Sequence, residues 1–78
     1  MSNDNQSRPL DTLNEARNDK VLVELKNGKS YVGTLKSFDI HINTVLENAE
    51  ERTEDGDIKR KLGTLFIRGD TVTLITPQ

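Results

Sequence analysis

Apolar residues near the start of the chain recur at helical spacing. Leu10, Leu13 and Ala16 are three residues apart, and they follow Pro9, which suits the first turn of a helix. The pattern predicts a short helix over residues 8–17. A helix of about ten residues is marginal alone, so its leucine stripe is expected to lie on an apolar surface.

From Lys20 onwards the period becomes that of strands. "KVLVELK" at 20–26 and "KSYVGTLKSF" at 29–38 are rich in Val and Leu, and they flank Asn27-Gly28. An Asn-Gly pair between two such segments is the strongest short-range hairpin signal. The first two strands are therefore predicted to form a hairpin.

The stretch 30–49 is too long for a single strand, because strands usually have about five or six residues. Asp39 and Asn43 are its best turn formers. "FDIHIN" is thus predicted to contain a turn, with "TVLENAE" at 44–50 as the third strand. Gly33, inside the second strand, predicts a sharp bend of the kind that closes a small barrel.

The acidic stretch 51–57 reads as a turn between the third strand and a fourth at 58–69, and "DTVTLITP" at 70–77 reads as a fifth. The predicted fold class is all-β with a short N-terminal helix and a small, strongly bent, five-stranded antiparallel open barrel. We expect one domain over residues 8–77. Residues 1–7, polar after the initial Met, are expected to be a disordered tail.

Composition narrows the possible partners. The chain has 78 residues, no Cys and a net charge of -2, so its core is thin and any nucleic-acid site must be local rather than a broad basic surface. No apolar run approaches the roughly 20 residues that span a bilayer. We expect a cytoplasmic protein without membrane contact, cofactor or metal. The uncharged last strand predicts pairing with a neighbouring subunit, which closes a ring if the rotation allows it.

Two separated blocks carry a family resemblance. "KVLVELKNGKSYVGTLKSFDIHINTVLENAEE" at 20–51 resembles the first Sm motif, "LGTLFIRGDTVTLIT" at 62–76 resembles the second, and "RPLDTL" precedes them. The chain is similar to the Sm and Sm-like RNA-binding proteins, most closely the archaeal ones. The resemblance implies an Sm-like barrel, usually in seven-membered homomeric rings in which the fourth strand of one subunit pairs with the fifth of the next. It also implies binding of uridine-rich single-stranded RNA at the pore, one nucleotide per subunit, in RNA processing as a ribonucleoprotein scaffold or chaperone.

The resemblance carries over six RNA-binding residues, namely Asp39, His41, Asn43, Arg68, Gly69 and Asp70. It places His41 and Arg68 on the two faces of a base, and planar groups do stack on exposed bases. It assigns the uracil edge to Asn43, whose amide offers donors and an acceptor. Asn43 distinguishes uracil from cytosine only if its amide cannot flip. We expect Asp70 to hold that amide and Asp39 to cap the turn.

Other interpretations stay open at this point. His41 with Asp39 or Asp70 could serve as a base or bind a metal, but no nucleophile is evident and no catalysis is expected. The six acidic residues between Glu47 and Asp57 lack regular calcium-loop spacing and are expected to be a solvated hairpin tip. The remaining alternative is a barrel that acts as a protein-interaction or assembly scaffold without specific RNA binding.

Overall fold

The computed structural model describes residues 8–78, which contain one α-helix and five strands. A short 3-10 helix, Gly69–Thr71, separates the last two strands. The elements in chain order are α1 (Pro9–Glu15), β1 (Lys20–Leu25), β2 (Ser30–Phe38), β3 (Thr44–Arg52), β4 (Ile58–Ile67) and β5 (Val72–Pro77). The predicted fold class is confirmed, while the expected tail over 1–7 lies outside the described residues.

The five strands form one antiparallel sheet in the order β4-β3-β2-β1-β5. The β1–β2 hairpin turns at Asn27-Gly28, as predicted. Gly28 has φ 89°, and the Asn27 side chain accepts a hydrogen bond from the Lys29 N–H at 3.0 Å. Because β4 and β5 are at opposite ends of the order, they do not pair with each other within the described chain.

The sheet bends where β2 pairs with β3 around Gly33. The register between these strands shifts between Val32 and Thr34, on either side of Gly33. A Cβ on Gly33 would lie 3.0 Å from the Cα of Ala49 and 3.0 Å from the Glu47 carbonyl oxygen, so a larger residue would have to push the two backbones apart. The bend predicted at Gly33 is therefore present.

The core is small and lies inside the bent sheet. Val21, Val23, Leu35 and Leu46 are completely buried in it. Helix α1 packs Leu13 against this cluster, and Ala16 just beyond the helix is buried in it. The predicted apolar face of the helix is confirmed, although Leu10 is only partly buried.

Within residues 8–78 one carboxylate, Glu51 on β3, is buried with 3% of its surface exposed. Its Oε1 accepts a hydrogen bond from Arg60 Nε at 2.9 Å, and Lys59 Nζ lies 3.8 Å from its Oε2. The Arg60 hydrogen bond is the main reason why the pKa of Glu51 is below its ordinary value. Two basic residues of β4 are therefore paired with a carboxylate of the neighbouring strand β3.

Among residues 8–78, no helix is long and apolar enough to cross a membrane.

Candidate nucleic-acid interface

The β2–β3 connection is a tight turn over residues 39–43, as predicted. The Asp39 N–H donates to the Asn43 carbonyl at 3.1 Å, and the Ile42 N–H donates to the Asp39 carbonyl at 3.0 Å. The Asp39 Oδ1 atom accepts from the backbone N–H groups of His41 at 2.8 Å and Asn43 at 3.1 Å. Asp39 thus caps the turn, which confirms the structural role expected for it.

A second loop begins where β4 ends. The predicted fourth strand stops at Ile67, two residues early, because the Arg68 carbonyl accepts hydrogen bonds from Thr71 Oγ1 at 2.6 Å and the Thr71 N–H at 3.1 Å. The Lys26 N–H donates to the Thr71 carbonyl at 2.8 Å and ties this loop to the β1–β2 hairpin. Arg68, Gly69 and Asp70 are thereby presented at one end of the sheet.

Gly69 brings the two loops into contact. Its N–H donates to Asn43 Oδ1 at 2.8 Å. A Cβ at this position would overlap the His41 carbonyl oxygen and lie 2.7 Å from the Ile42 carbonyl carbon, which is closer than Cβ atoms pack. Residue 69 must therefore be glycine for the loops to meet as they do.

The Asn43 amide is held on both sides. Oδ1 accepts from the Gly69 N–H, and Nδ2 donates to Asp39 Oδ2 at 3.0 Å. A backbone N–H can only donate and an ionised carboxylate can only accept, so the two partners together determine which amide atom faces which. The amide cannot flip without losing both bonds, and one N–H and one oxygen lone pair remain free to meet a ligand.

The prediction that Asp70 holds this amide is wrong. Asp70 Oδ2 accepts instead from the Arg68 guanidinium at 3.0 Å, because a cation two residues away attracts the carboxylate more strongly than a neutral amide does. The Asp39 carboxylate belongs to the same five-residue turn as Asn43 and reaches its amide directly.

Hydrogen bonding also affects the charge state of Asp39. The bond from the Asn43 amide, with smaller contributions from the backbone N–H groups of His41 and Asn43, lowers the pKa of Asp39 below its ordinary value of 3.8. Asp39 is consequently ionised near neutral pH and can act only as an acceptor. This charge state keeps the Asn43 Nδ2 atom directed at it.

Five of the six predicted site residues line a single open recess of about 360 Å³; they are His41, Asn43, Arg68, Gly69 and Asp70. Asp39 does not line this recess and acts on it through Asn43. The recess combines an imidazole, a guanidinium and an oriented amide around open space. Planar groups beside an oriented amide suit a flat heterocycle with a polar edge.

Two contributors were missed by sequence reasoning. Thr44 is buried, and its Oγ1 donates to the Ile42 carbonyl at 2.7 Å. Ile42 itself has φ 62°, a left-handed backbone that β-branched residues rarely adopt. An Ile followed by Asn gives no signal for such a conformation, because a turn in that region favours glycine.

No group of three or more His, Asp or Glu side chains within residues 8–78 is arranged to hold a metal ion.

Comparison with known proteins relates this geometry to a family. A protein described as Sm-like from Methanococcoides burtonii is 48% identical over 71 residues, which are 91% of this chain and 97% of that protein. The Sm protein of Pyrococcus abyssii, solved in complex with a uridine heptamer, is 42% identical with a TM-score of 0.85, covering 92% of this chain and 100% of that one. The SmAP1 heptamer of Pyrobaculum aerophilum is 38% identical with a TM-score of 0.85, covering 92% of this chain and 95% of that one. Residues 11–77 match the family model of the LSM domain, and the chain therefore belongs to the LSM family of Sm-like proteins.

Proposed function

We propose that this protein forms a homomeric ring that binds uridine-rich single-stranded RNA at its pore and serves RNA processing as a ribonucleoprotein scaffold or chaperone. The observation that carries the proposal is the fixed orientation of the Asn43 amide inside the recess. Family membership and the relative solved with a uridine heptamer support the same ligand.

The free atoms of Asn43 match the edge of uracil. Its remaining N–H donates to the uracil O4 atom, and its Oδ1 lone pair accepts from the uracil N3–H. Cytosine has an amino group and an unprotonated ring nitrogen at these two places, so it meets a donor with a donor and an acceptor with an acceptor. An amide held by Asp39 and Gly69 cannot rotate to accommodate that reversal.

The two planar side chains supply affinity without choosing the base. His41 and Arg68 are both exposed and both line the recess. Stacking on such groups stabilises a single-stranded base by about 1–3 kcal/mol. In the proposed complex His41 covers one face of the base and Arg68 the other, while Gly69 and Asp70 shape the rim.

The edges of the sheet support assembly into a ring. Within residues 8–78, neither β4 nor β5 has a strand on its outer edge. Large apolar side chains remain exposed on both, with Phe66 on β4 77% exposed and Leu74 on β5 41% exposed. Pairing β4 of one subunit with β5 of the next satisfies both edges and shields these side chains. The heptameric state of the SmAP1 relative supports a ring of seven.

A ring explains RNA binding by an acidic chain. Each subunit brings one Arg68, and nucleotides of one strand occupy several recesses, so that weak contacts act together through avidity. The net charge of -2 per subunit is then no obstacle. We propose that the assembly acts without catalysis, because its recess holds and discriminates a base rather than bringing a nucleophile to one. We also propose that it works in the cytoplasm.

The test is fluorescence anisotropy of labelled seven-nucleotide oligouridine and oligocytidine titrated with the protein at physiological salt, together with light scattering for the mass. We expect preferential binding of oligouridine by a ring-sized particle. Equal or absent binding of the two RNAs contradicts the proposal and favours a protein-interaction scaffold. A stable monomer contradicts the ring.

A further inference from the structure

Three tight turns of this chain have the same hydrogen-bond pattern. They cover residues 25–29, 39–43 and 53–57. In each turn, the N–H of the first residue donates to the carbonyl of the fifth residue, at 2.9, 3.1 and 2.8 Å respectively. The N–H of the fourth residue donates to the carbonyl of the first residue, at 2.9, 3.0 and 2.9 Å. The fourth position requires a left-handed backbone, and in two of the turns it is Gly28 with φ 89° or Gly56 with φ 90°.

The turn in the RNA site breaks this rule. Its fourth residue is Ile42, with φ 62°. A left-handed backbone forces the Cβ towards a carbonyl oxygen, and β-branching makes this crowding worse. Glycine would form the same turn without strain, so the presence of Ile42 requires a contribution from its side chain.

The side chain of Ile42 has an apolar environment. It lines the groove between α1 and β5, together with Leu13 and Val72, and Ile42 is partly buried there. Its carbonyl accepts the hydroxyl of buried Thr44 at 2.7 Å. This hydrogen bond holds the backbone of residue 42, and the residue borders the apolar groove. In contrast, Ile40 in the same turn is 73% exposed.

We infer that Ile42 is a positioning residue of the base-recognition site. Its side chain anchors the turn in the groove and keeps a strained backbone in the one conformation that places the Asn43 amide against Gly69. A glycine at position 42 could adopt that conformation but would also visit others. Only the fraction of molecules with the turn closed is ready to bind uracil, and the apparent affinity falls by that fraction. The inference names a determinant of specificity and rests on the proposed function of this site.

The test compares three variants in the RNA titration. Ile42→Gly is expected to bind oligouridine about tenfold more weakly, if its turn is closed about a tenth of the time, and to lose much of its preference over oligocytidine. Ile40→Gly, which removes an exposed side chain from the same turn and leaves Ile42 in the groove, is expected to keep both. Ile42→Leu, which restores an apolar anchor, is also expected to keep the preference. Wild-type behaviour of Ile42→Gly, or an equal loss in Ile40→Gly, overturns the inference.

A second measurement needs no RNA. The Gly69 N–H donates to Asn43 Oδ1. The rate at which this backbone N–H exchanges with solvent therefore reports on whether the Asn43 side-chain amide is held in place. In Ile42→Gly we expect this backbone N–H to exchange about tenfold faster while the urea midpoint changes little, because relief of strain offsets the lost apolar contact. Unchanged exchange overturns the inference whatever the RNA result. Failure of the wild-type protein to prefer oligouridine refutes the proposed function instead.

Discussion

The backbone N–H of Gly69 donates to the side-chain Oδ1 of Asn43 at 2.8 Å, across 26 residues of sequence. The Asn43 amide, which is proposed to recognise the base, therefore also links the two loops of the recess by a hydrogen bond. Removing Asn43 would disturb recognition and local structure together. The residues around Asn43 offer cleaner ways to separate these two roles.

Asp39→Asn should separate the two roles of Asp39, which caps the turn through its Oδ1 atom and orients the Asn43 amide through its Oδ2 atom. The new Oδ1 still accepts from the His41 and Asn43 N–H groups, but the new NH2 group faces Asn43 Nδ2, so two donors meet. We expect the turn to persist and the preference for oligouridine over oligocytidine to fall roughly tenfold, within the 1–3 kcal/mol that a well-formed pair of base contacts contributes. Anisotropy with both RNAs measures the ratio.

Asp70→Asn is the matched control for that substitution, with the same chemical change on the other loop. Asp70 contacts Arg68 and not Asn43, and an exposed ion pair contributes at most about 1 kcal/mol. Its effect should be small and equal for the two RNAs. A selective loss of oligouridine binding in Asp70→Asn would restore Asp70 as the residue that holds the amide.

Gly69→Ala should abolish the recess rather than weaken it. The added methyl group overlaps the His41 carbonyl oxygen, and relief requires the two loops to separate. Oligouridine binding is expected to disappear. Gly56→Ala provides the comparison, because its Cβ meets no atom within 4 Å and only its φ of 90° is unfavourable; it should lower the free energy of unfolding by about 1–2 kcal/mol and leave RNA binding intact. Urea unfolding and anisotropy of both variants test this, and Gly69→Ala with normal affinity would refute the packing argument.

Arg68→Lys should reveal whether the guanidinium acts by its plane or its charge. Lysine keeps the positive charge but cannot cover a base face. We expect weaker binding of oligouridine and oligocytidine alike, with a loss of about 1–3 kcal/mol for each occupied recess, and an unchanged dependence of affinity on salt. Titrations at several salt concentrations measure both quantities. Full affinity in Arg68→Lys would mean that charge alone is sufficient.

Acid should release the Asn43 amide. Hydrogen bonds lower the pKa of Asp39 in the folded protein below its ordinary value of 3.8. The stabilisation by Asp39 is therefore complete above the unfolded pKa and is lost as the pH falls through the lower, folded pKa. The free energy of unfolding of the wild-type protein minus that of Asp39→Asn should be constant from about pH 8 to 5 and then shrink. Urea unfolding across this range, at one protein concentration, measures it. A difference that grows in acid would contradict the assignment.

Local chemistry made much of the fold predictable. The turns at Asn27-Gly28 and at Asp39 depend on residues only a few positions apart, and the period of the apolar residues distinguishes helix from strands. The bend at Gly33 was predictable because glycine inside a strand marks a close backbone approach. The cap formed by Asp39 belongs to the same class, since donor and acceptor lie in one turn.

The sequence by itself determined the order of the elements, the turn residues and the set of polar groups available to a ligand, because each depends on short-range sterics and hydrogen bonding. Only the tertiary structure decided how those groups are used. It assigned the hold on Asn43 to Asp39 and the Gly69 backbone rather than to Asp70. It also placed Ile42 in a left-handed conformation. The Gly69 contact joins segments 26 residues apart, and Ile42 borders the groove between α1 and β5, so both depend on neighbours that local sequence preferences do not reveal.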